Sequence, residues 1–149
     1  MAIIPLPSDF SEFLKLLSEH EVKYLLVGGY AVGYYGYVRA TADMDIWIEG
    51  SEENAAHMVD VIKEFGFDVP ELNAALFLNP KKIVRFGNPP MRVEIMTKID
   101  GVNFKSCYKR REVSEWDDVT VHLISLPDLK KNKKASGRLK DLSDLDYLP

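Results

Sequence analysis

Two carboxylates, Asp43 and Asp45, alternate with the apolar residues Met44, Ile46 and Ile48 in the segment DMDIWI. This alternation predicts a β-strand, on which side chains two residues apart point to the same side with their roots roughly 6.6 Å apart. Two such carboxylates repel each other unless a cation lies between them. A hard divalent ion such as Mg²⁺, which takes oxygen ligands at about 2.0 to 2.1 Å, suits this pair.

A third carboxylate lies in a similar setting on a second predicted strand. The segment RVEIM places Glu94 between Val93 and Ile95. Three acids from two neighbouring strands can hold two divalent ions about 3.5 to 4 Å apart, an arrangement that supports in-line displacement at phosphorus. The sequence therefore predicts a metal site formed by Asp43, Asp45 and Glu94 and filled by Mg²⁺ or Mn²⁺.

A glycine pair, Gly28 and Gly29, ends the apolar run VKYLLV, and thirteen residues separate it from Asp43. A strand that ends in glycine and leads into a helix lets a ligand approach the backbone, and the helix N-terminus presents free N–H groups to phosphate oxygens. A glycine pair alone usually marks only a tight turn. Its position ahead of the three acids favours a phosphate site beside the metal site.

The elements that must position these residues follow from the remaining patterns. They alternate between helix and strand periodicity, which predicts an α/β (α+β) fold with a mixed sheet flanked by helices. The N-terminal half predicts a helix over 9–18, a strand over 22–27, a short helix from residue 29, the DMDIWI strand and a helix over 51–65 closed by Gly66. The segments KIVRFG and MRVEIM predict a hairpin around the Asn-Pro-Pro sequence at 88–90.

The C-terminal half is patterned less clearly. A polar stretch containing Lys109, Arg110 and Arg111 is poorly patterned, and VTVHLI after it predicts a strand. Residues 125–148 predict two C-terminal helices, the second with an apolar face. That face would consist of Ala135, Leu139, Leu142 and Leu145.

Composition narrows the class of protein. A chain of 149 residues, 46% of them hydrophobic, suits a single domain over 1–149. No apolar run approaches the roughly 20 residues that cross a bilayer. Cys107 is the single cysteine, which predicts a reducing cytoplasm. The three histidines are scattered, which predicts no structural zinc. The net charge of −4 argues against a general nucleic-acid coat, but residues 130–140 carry six basic residues and no acid. We expect any polyanion to bind near that segment.

The order of these motifs resembles the signature of the nucleotidyltransferase superfamily typified by DNA polymerase beta, in which Gly-Gly or Gly-Ser precedes Asp-x-Asp and a later acid. GGYAVGYYGYVRATADMDI is similar to a bacterial branch that includes the abortive-infection type toxin nucleotidyltransferases. KASGRLKDLSDL resembles the closing helix of that branch. The resemblance covers residues 24–145, with an unmatched middle.

The resemblance implies that Asp43, Asp45 and Glu94 form a metal-dependent catalytic site and that Gly28 and Gly29 receive phosphate. It further implies that Lys134 neutralises charge on a nucleoside triphosphate or on leaving pyrophosphate. Arg39 and Thr41 match the Arg-x-Thr of the branch, although Arg39 could equally pair with an acid. The aromatic group Tyr30, Tyr34, Tyr35 and Tyr37 favours packing over contact with a nucleobase.

The implied activity is transfer of a nucleoside monophosphate to a hydroxyl acceptor, with RNA or protein favoured, in a toxin-antitoxin or phage-defence setting. An antibiotic acceptor is an alternative, and so are a homodimer and a cognate antitoxin as partners. A different class also stays open, a nucleotide-binding module without turnover. Two departures support it, because many active members carry serine at the position of Gly29 and aspartate at that of Glu94.

Overall fold

The computed structural model describes residues 8–41, 43–88 and 91–149. Six strands form one mixed sheet in the order β3-β4-β2-β1-β6-β5, and helices flank it. The strands are β1 (Tyr24–Val27), β2 (Asp43–Ile48), β3 (Val84–Asn88), β4 (Met91–Met96), β5 (Glu112–Trp116) and β6 (Val119–Leu123). The helices are α1 (Ser8–Glu19), α2 (Gly28–Tyr34), α3 (Glu52–Phe65), α4 (Phe104–Lys109), α5 (Leu126–Ser136) and α6 (Leu139–Tyr147), with a short 3-10 helix at Ala74–Phe77.

The centre of the sheet confirms the strand predictions. β2 runs antiparallel to β1 and parallel to β4, whereas β3 and β4 form the predicted antiparallel hairpin. Residues 89 and 90 of its predicted turn lie outside the described residues. Met44, Ile46 and Ile48 are fully buried, so the apolar side of β2 faces the core. Trp47, from the other side of β2, is also buried and packs edge to face on Phe104, with ring centroids 5.1 Å apart.

Residue chemistry sets the ends of α3 as the sequence predicts. Ser51 caps its N-terminus by accepting a hydrogen bond from the Asn54 backbone N–H, and Gly66 ends it with a left-handed φ of 115°. Asn54 is buried, and its side chain also binds the backbone of Lys23 and Glu49. These bonds tie α3 to the end of β2 and to the segment that enters β1.

In the C-terminal half, one stretch that the sequence left unassigned has regular structure, and one expectation is wrong. The poorly patterned polar stretch contains the end of α4 and the start of β5, and β5 pairs antiparallel with β6. The predicted apolar face of the last helix does not face the core, because Leu139 is 86% exposed while Asp141 and Asp144 are buried. Gly137, with a φ of 66°, ends α5 and separates Ala135 from α6.

None of the described helices has the length and apolar character that crossing a membrane requires. The tyrosines of the 30–37 segment behave as the packing alternative predicted. Tyr30, Tyr34 and Tyr35 are buried, and Tyr35 donates a hydrogen bond of 2.6 Å to the Ile124 backbone oxygen. They support the core below the site.

Candidate active site

The pairing of β2 with β4 brings the three predicted acids together. The parallel register sets Asp45 opposite Glu94, and Asp43 opposite Arg92. These residues line a cleft of about 550 Å³, called here the first cleft. Six of the seven residues predicted for the site line it: Gly28, Gly29, Arg39, Asp43, Asp45 and Glu94.

Asp45 is the most constrained of the acids. Its Oδ1 is buried and has no hydrogen-bond partner among the described residues. Burial, and next the negative charge of Glu94, raise the pKa of Asp45 to about 7. A buried oxygen without a donor favours either a proton or a cation, because an unpaired buried charge is costly. The site thus has a place for positive charge at Asp45.

Each of the other two acids forms an ion pair with an arginine. Arg92 places Nε 3.2 Å from Asp43 Oδ1, and Arg85 of the neighbouring strand β3 places Nε 2.6 Å from Glu94 Oε1. Both arginine side chains are more than a third exposed. Sequence reasoning missed them, although Arg92 stands two residues before Glu94 and therefore on the same side of β4.

The residue types suit a hard divalent ion. Over the described ranges, however, no three His, Cys, Asp or Glu side chains stand ready as a metal cluster. Binding of a metal by all three acids would require Asp43 and Glu94 to exchange their arginines for it. The donors that this exchange would offer are carboxylate oxygens, which suit Mg²⁺ or Mn²⁺.

Neighbouring side chains leave no room for a Cβ at Gly28 or Gly29, and the backbone conformation also favours glycine at position 28. Gly28 has a φ of 65°, and a Cβ there would lie 2.2 Å from Asp45 Oδ2. A Cβ on Gly29 would lie 2.5 Å from Thr41 Oγ1. Helix α2 begins at Gly28, and no side chain of the described residues caps it. The backbone at the start of α2 therefore lies directly against the acids, where a phosphate could approach.

Arg39 lines the first cleft but is already held by an acid. Its Nε and Nη2 each lie 2.9 Å from an oxygen of Asp144, which is almost completely buried. Burial by itself would raise the pKa of Asp144, but hydrogen bonds from Arg39 and Lys133 hold it below its ordinary value. The ion pair considered for Arg39 is therefore present, and it anchors the 39–41 segment to α6.

The structure places Lys133 in the first cleft, not the predicted Lys134. Lys134 is exposed and does not line the cleft. Lys133 is buried and lines it, with Nζ 2.9 Å from Asp141 Oδ1 and 2.9 Å from Asp144 Oδ2. Successive residues on a helix point about 100° apart, so only one of the two lysines can face the cleft. The signal in the sequence that could have identified Lys133 is the pair of acids Asp141 and Asp144, which, when buried, require a cation beside them.

Two further cations line the first cleft and were not singled out in the sequence. Arg138 and Lys140 come from the turn between α5 and α6 and the start of α6. Arg138 Nε lies 3.1 Å from Asp141 Oδ2, but its side chain is 76% exposed. The rim near α5 and α6 is therefore basic, whereas the floor on β2 and β4 is acidic.

No protein-family model matches the chain, and no curated protein matches it. Solved structures do match, among them the crystal structure of a "putative nucleotidyltransferase" from Thermotoga maritima. The two chains are 17% identical, and the match covers 91% of this chain and 87% of that one with a TM-score of 0.61. This likeness confirms the predicted fold, a mixed sheet flanked by helices with two helices at the C-terminus.

Proposed function

We propose that this protein is a metal-dependent nucleotidyltransferase, which moves a nucleoside monophosphate from a nucleoside triphosphate to a hydroxyl-bearing acceptor. One observation carries the proposal. Asp45 is half-buried, its buried Oδ1 has no hydrogen-bond donor among the described residues, and it lies opposite Glu94 in a cleft bordered by Gly28 and Gly29. The fold likeness to a protein described as a "putative nucleotidyltransferase" supports this proposal.

Asp43, Asp45 and Glu94 are the residues that would hold Mg²⁺ or Mn²⁺. The metal would neutralise charge on the triphosphate and polarise the α-phosphate, which is the main requirement of phosphoryl transfer. Arg85 and Arg92 hold Glu94 and Asp43 in the absence of an ion. Their exposed side chains can turn toward phosphate once the acids are engaged.

The chemical step forms one bond and breaks one. The acceptor hydroxyl oxygen attacks the α-phosphorus, the bond from that phosphorus to the bridging oxygen breaks, and pyrophosphate leaves. The hydroxyl proton passes to a carboxylate, for which Glu94 is the candidate. With Arg85 displaced from Glu94 by the metal, the carboxylate oxygen of Glu94 that does not hold the ion would accept the proton.

The phosphates would bind where the backbone and the basic rim meet. Backbone N–H groups at Gly28 and Gly29 are the first contacts. The hydroxyl of Thr41 lies where a side chain on residue 29 would be, so it can supply the contact that a serine there would make. Lys133, with Arg138 and Lys140 nearby, takes the charge-neutralising role that the sequence assigned to Lys134.

A macromolecular acceptor, RNA or protein, is favoured over an antibiotic because the rim of the first cleft is basic. The similarity of residues 28–46 to the abortive-infection branch supports a toxin-antitoxin or phage-defence role in the cytoplasm. A cognate antitoxin or a second copy of the chain would then be the protein partner. Co-expression with the product of a neighbouring gene tests that setting, because an antitoxin would relieve toxicity.

The activity is tested by incubating the protein with each labelled nucleoside triphosphate, Mg²⁺ or Mn²⁺, and total cellular RNA and protein. We expect label to appear in one acceptor fraction and to vanish in the Asp43→Ala/Asp45→Ala double variant. The matched control is Asp60→Ala/Asp68→Ala, which removes two exposed acids outside the first cleft. Transfer that survives loss of Asp43 and Asp45 would refute the assignment.

A second candidate is a nucleotide-binding module without turnover. The ion pairs of Arg85 with Glu94 and of Arg92 with Asp43 favour it, since they occupy two of the three acids. The same assay separates the two functions. Metal-dependent nucleotide binding with no label transfer to RNA, protein or antibiotic would support the binding module.

A further inference from the structure

A second cleft of about 530 Å³ adjoins the first. The two share Lys98 and Ile99, which follow the end of β4. The second cleft continues from there between α5, represented by Lys131, and the start of α4. A ligand that reaches the acids of the first cleft can therefore extend into the second.

Close contacts join the two sides of the second cleft, α5 and the segment 98–103. Asn132 of α5 donates a hydrogen bond of 2.9 Å to the backbone oxygen of Asp100. Gly101, with a φ of 77°, packs so closely on α5 that a Cβ would lie 2.3 Å from the Ala135 Cβ. The segment 98–103 is thus fixed against α5, and the cleft keeps its shape without a ligand.

The lining of the second cleft is cationic. Lys98 and Lys131 are exposed and take part in no ion pair with the described residues. Arg110 binds buried Asp128 through two bonds of 2.9 and 3.0 Å, yet its side chain is 56% exposed. No acid occurs among the described residues that line this cleft, in contrast to the first.

We propose that the second cleft binds the phosphodiester backbone of a nucleic-acid acceptor strand whose hydroxyl enters the first cleft. This inference rests on the proposed function. In a nucleic acid, the terminal hydroxyl and the nearest phosphodiester are attached to the same sugar. A cationic cleft that adjoins the reaction cleft therefore meets a negative charge at a fixed distance from the reacting oxygen.

An acidic protein acceptor fits this arrangement less well. The hydroxyl of a serine, threonine or tyrosine has no fixed distance to the acidic residues around it. A protein acceptor would therefore gain from a broad basic surface rather than from one confined cleft.

The test measures strand binding without nucleoside triphosphate. Lys131→Glu is compared with Lys134→Glu, an exposed lysine on the same helix that lines neither cleft. The probes are fluorescein-labelled single-stranded RNA and DNA of one sequence, followed by anisotropy over a range of salt. We expect Lys131→Glu to weaken binding at least tenfold and to lower the salt slope by about 0.7 per lost phosphate contact.

We expect Lys134→Glu to bind like the wild type, and the RNA and DNA arms to show which strand is the acceptor. Equal weakening by the two variants, or no binding of either strand by the wild type, would overturn the proposal. Nucleotide binding is measured on the same samples, because Asp43→Ala/Asp45→Ala should lose Mg²⁺-dependent nucleotide binding and keep strand binding. Label transfer only to protein would overturn the strand site and leave the proposed activity standing.

Discussion

Replacement of Lys133 by methionine should destabilise the protein strongly, although lysine-to-methionine changes on a surface are usually harmless. Lys133 is 4% exposed, and its Nζ bridges two buried carboxylates, Asp141 and Asp144, at 2.9 Å each. Methionine keeps most of the side-chain volume and removes the charge. The variant therefore leaves both acids in a poorly solvated place with one cation fewer.

The contacts that remain set the size of this effect. Breaking a buried ion pair from one side costs about 3 to 5 kcal/mol. Asp144 keeps both bonds to Arg39, and Asp141 keeps Arg138 and Ser136. We therefore expect the lower end, about 3 kcal/mol, which for a chain of this size lowers the melting temperature by roughly 6 to 12 °C.

Urea denaturation of Lys133→Met and of the neighbouring Lys134→Met measures the difference directly. Lys134 is exposed, so its replacement should stay within about 0.5 kcal/mol of the wild type. Hydrogen bonds hold the pKa values of Asp141 and Asp144 below their ordinary value despite burial, so the stability they contribute is lost as pH falls below 3.8. The gap between wild type and Lys133→Met should shrink there. Two variants of equal stability at neutral pH would refute the buried ion network.

Three further predictions concern the acids and the glycines of the first cleft. Gly28→Ala should abolish activity and metal binding, because its Cβ would displace the Asp45 carboxylate. The control is Gly36→Ala, at a φ of 119° with no atom within 4 Å of the new Cβ, which should cost only about 1 kcal/mol of stability by thermal melting. The pKa of Asp45 in the folded protein is about 7, above its ordinary value of 3.8, so the metal-free protein should lose stability as pH rises from 4 to 7. Because Mg²⁺ needs the deprotonated carboxylate, Mg²⁺ affinity should rise about tenfold per pH unit over the upper part of this range. Calorimetry at pH 5 and 8 measures the stability in EDTA and then the affinity for Mg²⁺. A stability or an affinity that does not change with pH would contradict the corresponding prediction. Arg92→Gln should raise Mn²⁺ affinity without nucleotide, measured by electron paramagnetic resonance, because it frees Asp43; unchanged affinity would show that the ion pair does not compete with metal.

Strand patterns in the sequence were enough to place the acidic floor of the first cleft. Strict alternation put Asp43 and Asp45 on one side of β2, and the same rule put Glu94 between two apolar neighbours on β4. The Asn-Pro-Pro sequence separated β3 from β4 and correctly predicted their hairpin. These features depend on local periodicity, which a sequence displays directly.

The basic rim could not be derived in the same way. Helix α6 buries Asp141 and Asp144 and exposes Leu139, because the acids are neutralised by Lys133 and Arg39, which come from distant parts of the chain. Hydrophobic periodicity assumes that apolar residues face the core, so it assigns the wrong face when a buried ion network replaces apolar contact. The choice of Lys134 over Lys133 came instead from the resemblance, in which a lysine precedes the Ala-rich segment of the closing helix.

The ion network and the acidic floor together suggest why the chain keeps so many charges near one cleft. Lys133 and Arg39 are held by acids on α6, and Arg85 and Arg92 hold acids on β4 and β2, so each of these four cations has an acidic partner, as do Asp43 and Glu94 among the acids of the floor. Asp45 is the exception, because its Oδ1 has no donor among the described residues. Under the proposed function, an incoming cation would gain most at Asp45, and exchange at Asp43 and Glu94 would then release two arginines beside the bound phosphates. The same charges can therefore stabilise the empty cleft and the occupied one.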